Sequence, residues 1–184
     1  MSLGVTVQTS NPGSPIAPEA APVPPTFDWL PNWAGRTVIV LASGPSANDV
    51  DLTLAKDRAH IMAVNESWRL APWCDVLYGC DARWWKSRHG VPRFKGLKIS
   101  QDKRTAELFP EIRRVHSIKG VNQFRFDNLG YIGWFGNGGM QAVNLAAQLK
   151  PARLILVGLD LTTANGAHWH GAHTNNLPNP RDHI

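Results

Sequence analysis

Three apolar segments end on polar side chains that could do chemistry, and a fourth runs into a small-residue turn. "TVIVLA" leads into Ser43, Gly44, Pro45 and Ser46; "HIMAVN" ends on Asn65; "DVLYGCD" ends on Asp81; "LILVGLD" ends on Asp160. Glycine accepts backbone conformations that side chains resist, and N–H groups opening a helix bind phosphate oxygens. Ser43–Ser46 therefore reads as a phosphate-wrapping turn with hydroxyl donors at either end. The alternative is an ordinary strand-to-helix turn with a hydroxyl cap. The spacing is neither GxGxxG nor GxxxxGK[ST], so it predicts neither a dinucleotide fingerprint nor a Walker loop.

A second small-residue loop, "FGNGGMQAV", opens another helix. Here Asn137 is the expected cap, and Gly138 and Gly139 let backbone approach a ligand; packing of the two loops against each other is the alternative. Two donor-rich loops from opposite halves of the chain suit the two ends of a nucleotide. Asn65 could orient a base, a sugar or an acceptor hydroxyl, or simply hold a neighbouring loop. Asp81 and Asp160, if brought together, could share Mg²⁺ beside phosphates; Asp81 could instead polarise a sugar hydroxyl or cap the helix beginning "ARWW".

The segment "GAHWHGAHTNN" adds His168, His170 and His173. Neutral imidazoles coordinate zinc, and a histidine near its ordinary pKa exchanges protons in catalysis. His168 and His170 are the candidate catalytic groups. No HExxH or paired-cysteine motif fixes their directions, and solvent-facing loop histidines are the alternative.

These residues need elements to hold them. Strands are predicted at 37–42, 60–65 and 75–81, with weaker ones at 96–100 and 112–118, then a helix over 137–150 and a strand within 151–160. The helix rests on Met140, Val143 and Ala147 at steps of three and four, reinforced by Leu145 and Leu149. Strand, helix and strand without charged interruption predict an α/β fold, three-layered and Rossmann-like, with a mainly parallel central sheet. In such sheets ligands gather beyond the carboxyl ends of the strands.

Residues 1–27, rich in proline and small residues, read as a flexible tail, leaving 28–184 as a single nucleotide-binding-like domain. The net charge of +5 and pI near 9.6 attract anions generally, but the basic residues are scattered and nucleic acid is not the expected partner. Cys74 and Cys80 are too far apart along an extended strand for a comfortable disulfide. Free thiols, together with the lack of any secretion pattern or apolar run of bilayer length, make the cytoplasm the expected compartment and exclude a membrane-spanning role.

The combination "VLASGPSANDVDL", "VNESW", "YGCDARWW" and "NGGMQAVNLAAQLKPARLILVGLDL" resembles the domain of 6-hydroxymethylpterin pyrophosphokinase-like proteins. It is similar in arrangement to a family of bacterial sialyltransferases that use an activated nucleotide sugar, and phages and prophages carry compact relatives of this kind. The resemblance covers approximately residues 36–170. It implies nucleotide or phosphate binding at Gly44, Pro45 and Ser46, with Asn65, Asn137 to Met140 and Asp160 at the other matching positions. "HWHGAH" does not reproduce the sialyltransferase histidine motif, and the pterin-recognition residues do not align. The sequence stops at "NPRDHI", and a relative needing another helix there would leave this domain incomplete at its C-terminus or completed by a partner.

The leading expectation is a nucleotide-dependent transferase acting on a small hydroxyl-bearing acceptor. As a pyrophosphokinase it would use ATP, with Mg²⁺ on Asp81 and Asp160, the hydroxyl attacking the β-phosphorus. As a glycosyltransferase it would use a nucleotide sugar. A non-catalytic phage accessory protein is the third expectation, with a phage protein or a second copy of the chain as partner through a surface including Trp84, Trp85 and Trp134.

Overall fold

Strands whose residues are apolar on both sides need cover on both faces. The computed structural model, which describes residues 25–173 together with positions 177 and 179, provides that cover. Its strands in chain order are β1 (Thr37–Leu41), β2 (His60–Val64), β3 (Val76–Tyr78), β4 (Leu97–Ser100), β5 (Ile112–Arg114), β6 (His116–Ile118), β7 (Tyr131–Gly133) and β8 (Arg153–Val157). The helices are α1 (Ala82–Ser87), α2 (Lys103–Leu108) and α3 (Gly138–Gln148). Six strands form one parallel sheet in the order β5-β4-β3-β2-β1-β8, while β6 and β7 pair separately.

Successive strand side chains point to opposite faces. Ile39, Leu41, Ile61, Ala63 and Leu77 therefore pack on one side with Trp84 and Trp85 of α1. Val38, Val40, Met62, Val64 and Tyr78 pack on the other with Ala142, Leu145 and Ala146 of α3 and with Leu149 just after it. The result is the expected three-layer Rossmann-like architecture. From β1 the chain adds strands in one direction to β5, then returns to place β8 on the other side of β1. That reversal creates a ligand crevice at the carboxyl ends of β1 and β8 in folds of this kind.

Local structure departs from expectation where polar side chains compete with the backbone. No α-helix follows β1; 3-10 turns at Pro45–Asp49 and Leu52–Ala55 take its place. The single strand expected over 112–118 divides at the fully buried Val115, whose N–H donates to Ser100 (3.0 Å), so β5 joins the main sheet and β6 pairs with β7. On α3, Gln141, Asn144 and Gln148 form a buried polar stripe. Asn144 accepts from the N–H groups of Arg125 and Gly133, Gln148 from Gly130, and Gln141 donates to the Trp134 carbonyl. These bonds pin the segment that leads into the second small-residue loop.

Trp84 and Trp85 are 2% and 0% exposed, so these indoles belong to the core and are not available to the interface imagined for them; Trp134 is partly exposed. Phe27, at the end of the predicted tail, packs on Trp29, His116 and Tyr131. The rest of that tail, residues 1–24, lies outside the described residues. Among the described residues, no helix is long and apolar enough to cross a membrane, and Cys74 and Cys80 are free thiols whose pKa values burial raises to about 12 and about 11.

Candidate functional site

The carboxyl ends of β1, β2 and β8 open onto one crevice of about 450 Å³, a size typical of small-molecule sites. Ser43 and Gly44 reach it from β1, Asn65 from β2, and Asp160 from β8. Asn137, Gly138 and Gly139 reach it from the start of α3, and His168 from the segment after β8. Residues separated by more than a hundred positions thus share one concavity. Pro45, Ser46, Asp81 and His170 do not line it.

The two small-residue loops differ in what they leave free. In the first, Gly44 donates to the Gly158 carbonyl (2.7 Å), Ala47 to Gly44 (3.1 Å), and Ser46 to the Asp160 carboxylate through its N–H (3.0 Å) and its hydroxyl. Its donors are consumed internally. Gly44 has φ −65°, which any residue adopts. What glycine provides there is proximity: a Cβ would lie 2.6 Å from both an Asp160 carboxylate oxygen and the Gly158 carbonyl oxygen. Gly158, at φ +68°, supplies the left-handed turn that makes this approach possible.

The second loop keeps its donors. Asn137 caps α3 by accepting from the Met140 N–H (3.1 Å), while Gly138 and Gly139 occupy the first helical turn, whose N–H groups have no intrahelical acceptor. Aligned peptide dipoles add positive potential at the same end. The start of α3 is therefore the electropositive side of the crevice, and the Asp160 carboxylate lines the other. The side-chain oxygen of Asn65 is buried without a hydrogen-bond partner, on a residue held at φ +50°. Asp160 and Asn65 suit hydroxyl donors such as those of a ribose.

Asp81 caps α1 by accepting from the Arg83 N–H (2.9 Å). Of the two candidate magnesium ligands, Asp81 is thus engaged by its own helix and Asp160 by Ser46, and among the described residues only Asp160 of the pair lines the crevice.

His168, His170 and His173 converge, with ring centroids 4.3 to 5.1 Å apart. Burial lowers the pKa of all three. For His168, neighbouring His173 and His170 add to that effect against a hydrogen bond to the Ser43 backbone, bringing it to about 4. At neutral pH these are uncharged rings with available lone pairs, better suited to ligation or orientation than to storing a proton. A depressed folded-state pKa makes the unfolded chain the stronger proton binder between 6.5 and about 4. His168's contribution to stability is full above pH 6.5 and is lost as the pH falls towards 4. Urea midpoints measured from pH 7 to 4 in chelator should drop across that window, with a shallower drop in His168→Gln; identical slopes would contradict the burial effect.

Sequence reasoning places Glu66 beside Asn65 at the polar end of the second strand but gives no role to Trp169 or Ser67. Trp169 lies between the first two histidines and fastens their segment to the sheet: its N–H donates to Ser43 (3.0 Å), its indole to the Ser67 hydroxyl (3.2 Å), and its carbonyl accepts from Asn48 (3.1 Å). Ser67 donates in turn to Ala42 (2.9 Å). Glu66, 4% exposed, accepts from Arg88 (2.5 Å) and the Trp84 indole (3.3 Å). The only sequence signal was a tryptophan within a histidine-rich segment and a glutamate just after an apolar strand.

No protein-family model matches the chain and no curated protein matches it. One solved structure to which it is similar is the sialyltransferase CstII from Campylobacter jejuni, in complex with the substrate analogue CMP-3FNeuAc. Identity is 14%, the alignment covers 77% of this chain and 65% of that one, and the TM-score is 0.49. The chain thus spans less than two thirds of that structure's length, and the likeness is weak and partial. None of these comparisons supports the pterin pyrophosphokinase resemblance or a phage origin.

Proposed function

We propose that the crevice binds a nucleotide-linked donor and that the protein transfers a group from it to the hydroxyl of a small acceptor, a nucleotide sugar being the donor that fits best. The observation that carries this reading is the division of polarity around one cavity. N–H groups at the start of α3 suit phosphate, while Asp160 and Asn65 suit sugar hydroxyls. In the transfer, the acceptor oxygen forms a bond to the donor sugar's anomeric carbon and gives up its proton to water. The bond from that carbon to the phosphate oxygen breaks, and the electron pair leaves with the nucleotide. Helix N–H groups placed on the phosphate stabilise the charge that develops there. Asp81 capping α1 away from the crevice favours this donor over ATP held by magnesium on paired carboxylates.

Native mass spectrometry of freshly purified protein, alone and with nucleotide sugars or ATP, tests the reading. A bound nucleotide is expected, with transfer to hydroxyl acceptors releasing the free nucleotide. Gly138→Val should weaken capture by about tenfold or more and lower the thermal midpoint modestly, because a Cβ there would lie 3.2 Å from the Cys80 sulfur and 3.6 Å from Val64. Absence of nucleotide binding, or equal binding by the variant, would remove the proposal; release of AMP with ATP and a pterin would move it to diphosphate transfer.

A further inference from the structure

We infer that His168, His170 and His173 form a three-imidazole site for a divalent transition-metal ion of the zinc class. One ring nitrogen from each residue lies within 4.8 Å of the other two, and no other group of at least three histidines, cysteines or carboxylates converges in this way among the described residues. Tetrahedral zinc with bonds of about 2.0–2.1 Å needs ligand nitrogens about 3.4 Å apart, so modest ring rotations close the set.

A second observation points to a ligand. The Nε2 atoms of His168 and His170 are buried and have no hydrogen-bond partner. Leaving such an atom unsatisfied is costly, and a metal ion resolves both vacant lone pairs together.

The segment is also held in place. Trp169 anchors it to β1 and to Ser67, and the His173 N–H donates to Asn179 (2.6 Å). The negative field of Glu66 reaches His170 and His173 and partly offsets the positive fields of Arg69 and Arg88, easing the approach of a dication.

Ligand chemistry selects the class of ion. Imidazole nitrogens suit zinc, nickel, copper or cobalt, whereas magnesium and calcium take oxygen ligands. Three protein ligands leave a fourth position for water or substrate, the pattern of catalytic zinc sites rather than closed structural ones. His168 also lines the crevice, so the ion would adjoin it. The inference does not rest on which molecule the crevice binds.

Untagged full-length protein, stripped with chelator and dialysed, should take up one Zn²⁺ per chain by calorimetry. With Co²⁺ it should develop the visible ligand-field bands of a low-coordinate ion. His170→Ala should weaken Zn²⁺ binding by about 100-fold or more and abolish those bands, while His89→Ala, remote in sequence and exposed, should change neither. Should His170→Ala fail to fold, His173→Gln and the protection of histidines from diethyl pyrocarbonate by Zn²⁺ in the unaltered protein provide the same readout. Lack of the cobalt bands in the unaltered protein, or equal Zn²⁺ affinity in folded His170→Ala or His173→Gln, would overturn the inference. Nucleotide capture by the metal-stripped protein, measured alongside, succeeds or fails independently.

Discussion

Gly44→Ala is expected to lower the free energy of unfolding by about 3 kcal/mol and to weaken nucleotide capture by about tenfold or more. The backbone conformation is not the obstacle, because φ −65° is open to alanine. The added methyl would lie 2.6 Å from the Gly158 carbonyl oxygen, which is backbone, and equally close to Asp160. Relief of the first contact requires β1 and the β8 turn to separate, and relief of the second by moving Asp160 breaks its bonds to Ser46. Either movement reshapes the crevice wall. Urea denaturation and nucleotide titration check both effects; a variant within about 0.5 kcal/mol of the unaltered protein would show that the turn is looser than its contacts imply.

Glu66→Ala is expected to destabilise the fold by about 3 kcal/mol, at the lower end for a broken buried pair because Arg88 is partly open to water. The loss has three sources: Arg88 forfeits its 2.5 Å partner, Arg69 its 3.8 Å ion pair, and the indole N–H of Trp84, in the core, is left without its acceptor. Glu66→Gln retains an acceptor for the indole and should cost distinctly less. Denaturation midpoints of the two variants provide the comparison; equal losses would assign the whole effect to the ion pairs with Arg88 and Arg69. Because Glu66 also acts electrostatically on His170 and His173, Zn²⁺ affinity should fall in both variants if the histidines hold a metal.

The chain order of apolar segments was sufficient to predict the parallel α/β sheet. Runs such as "TVIVL" and "HIMAV" have no polar face to offer water, and burial on both sides follows from that alone. The start of α3 was equally legible, since Asn137 followed by two glycines is a local signal and a cap is a local bond. The same local rules misread the first loop: "SGPSAND" looks like a helix entrance with free donors, but its donors are spent on Gly158 and Asp160, residues from the far end of the chain.

The sequence alone determined the layered fold, the places where strands end in polar residues, and the supply of histidines near its C-terminus, because each depends on side-chain type and short-range spacing. The tertiary structure alone decided which ends meet. Strand order places β8 beside β1, bringing Asp160 against Gly44 and His168 to the crevice while Asp81 caps α1. Pairing between distant strands carries no local signature: it is fixed by how both faces of the sheet are covered, and the convergence of three imidazoles depends on where Ser43 and Ser67 anchor Trp169.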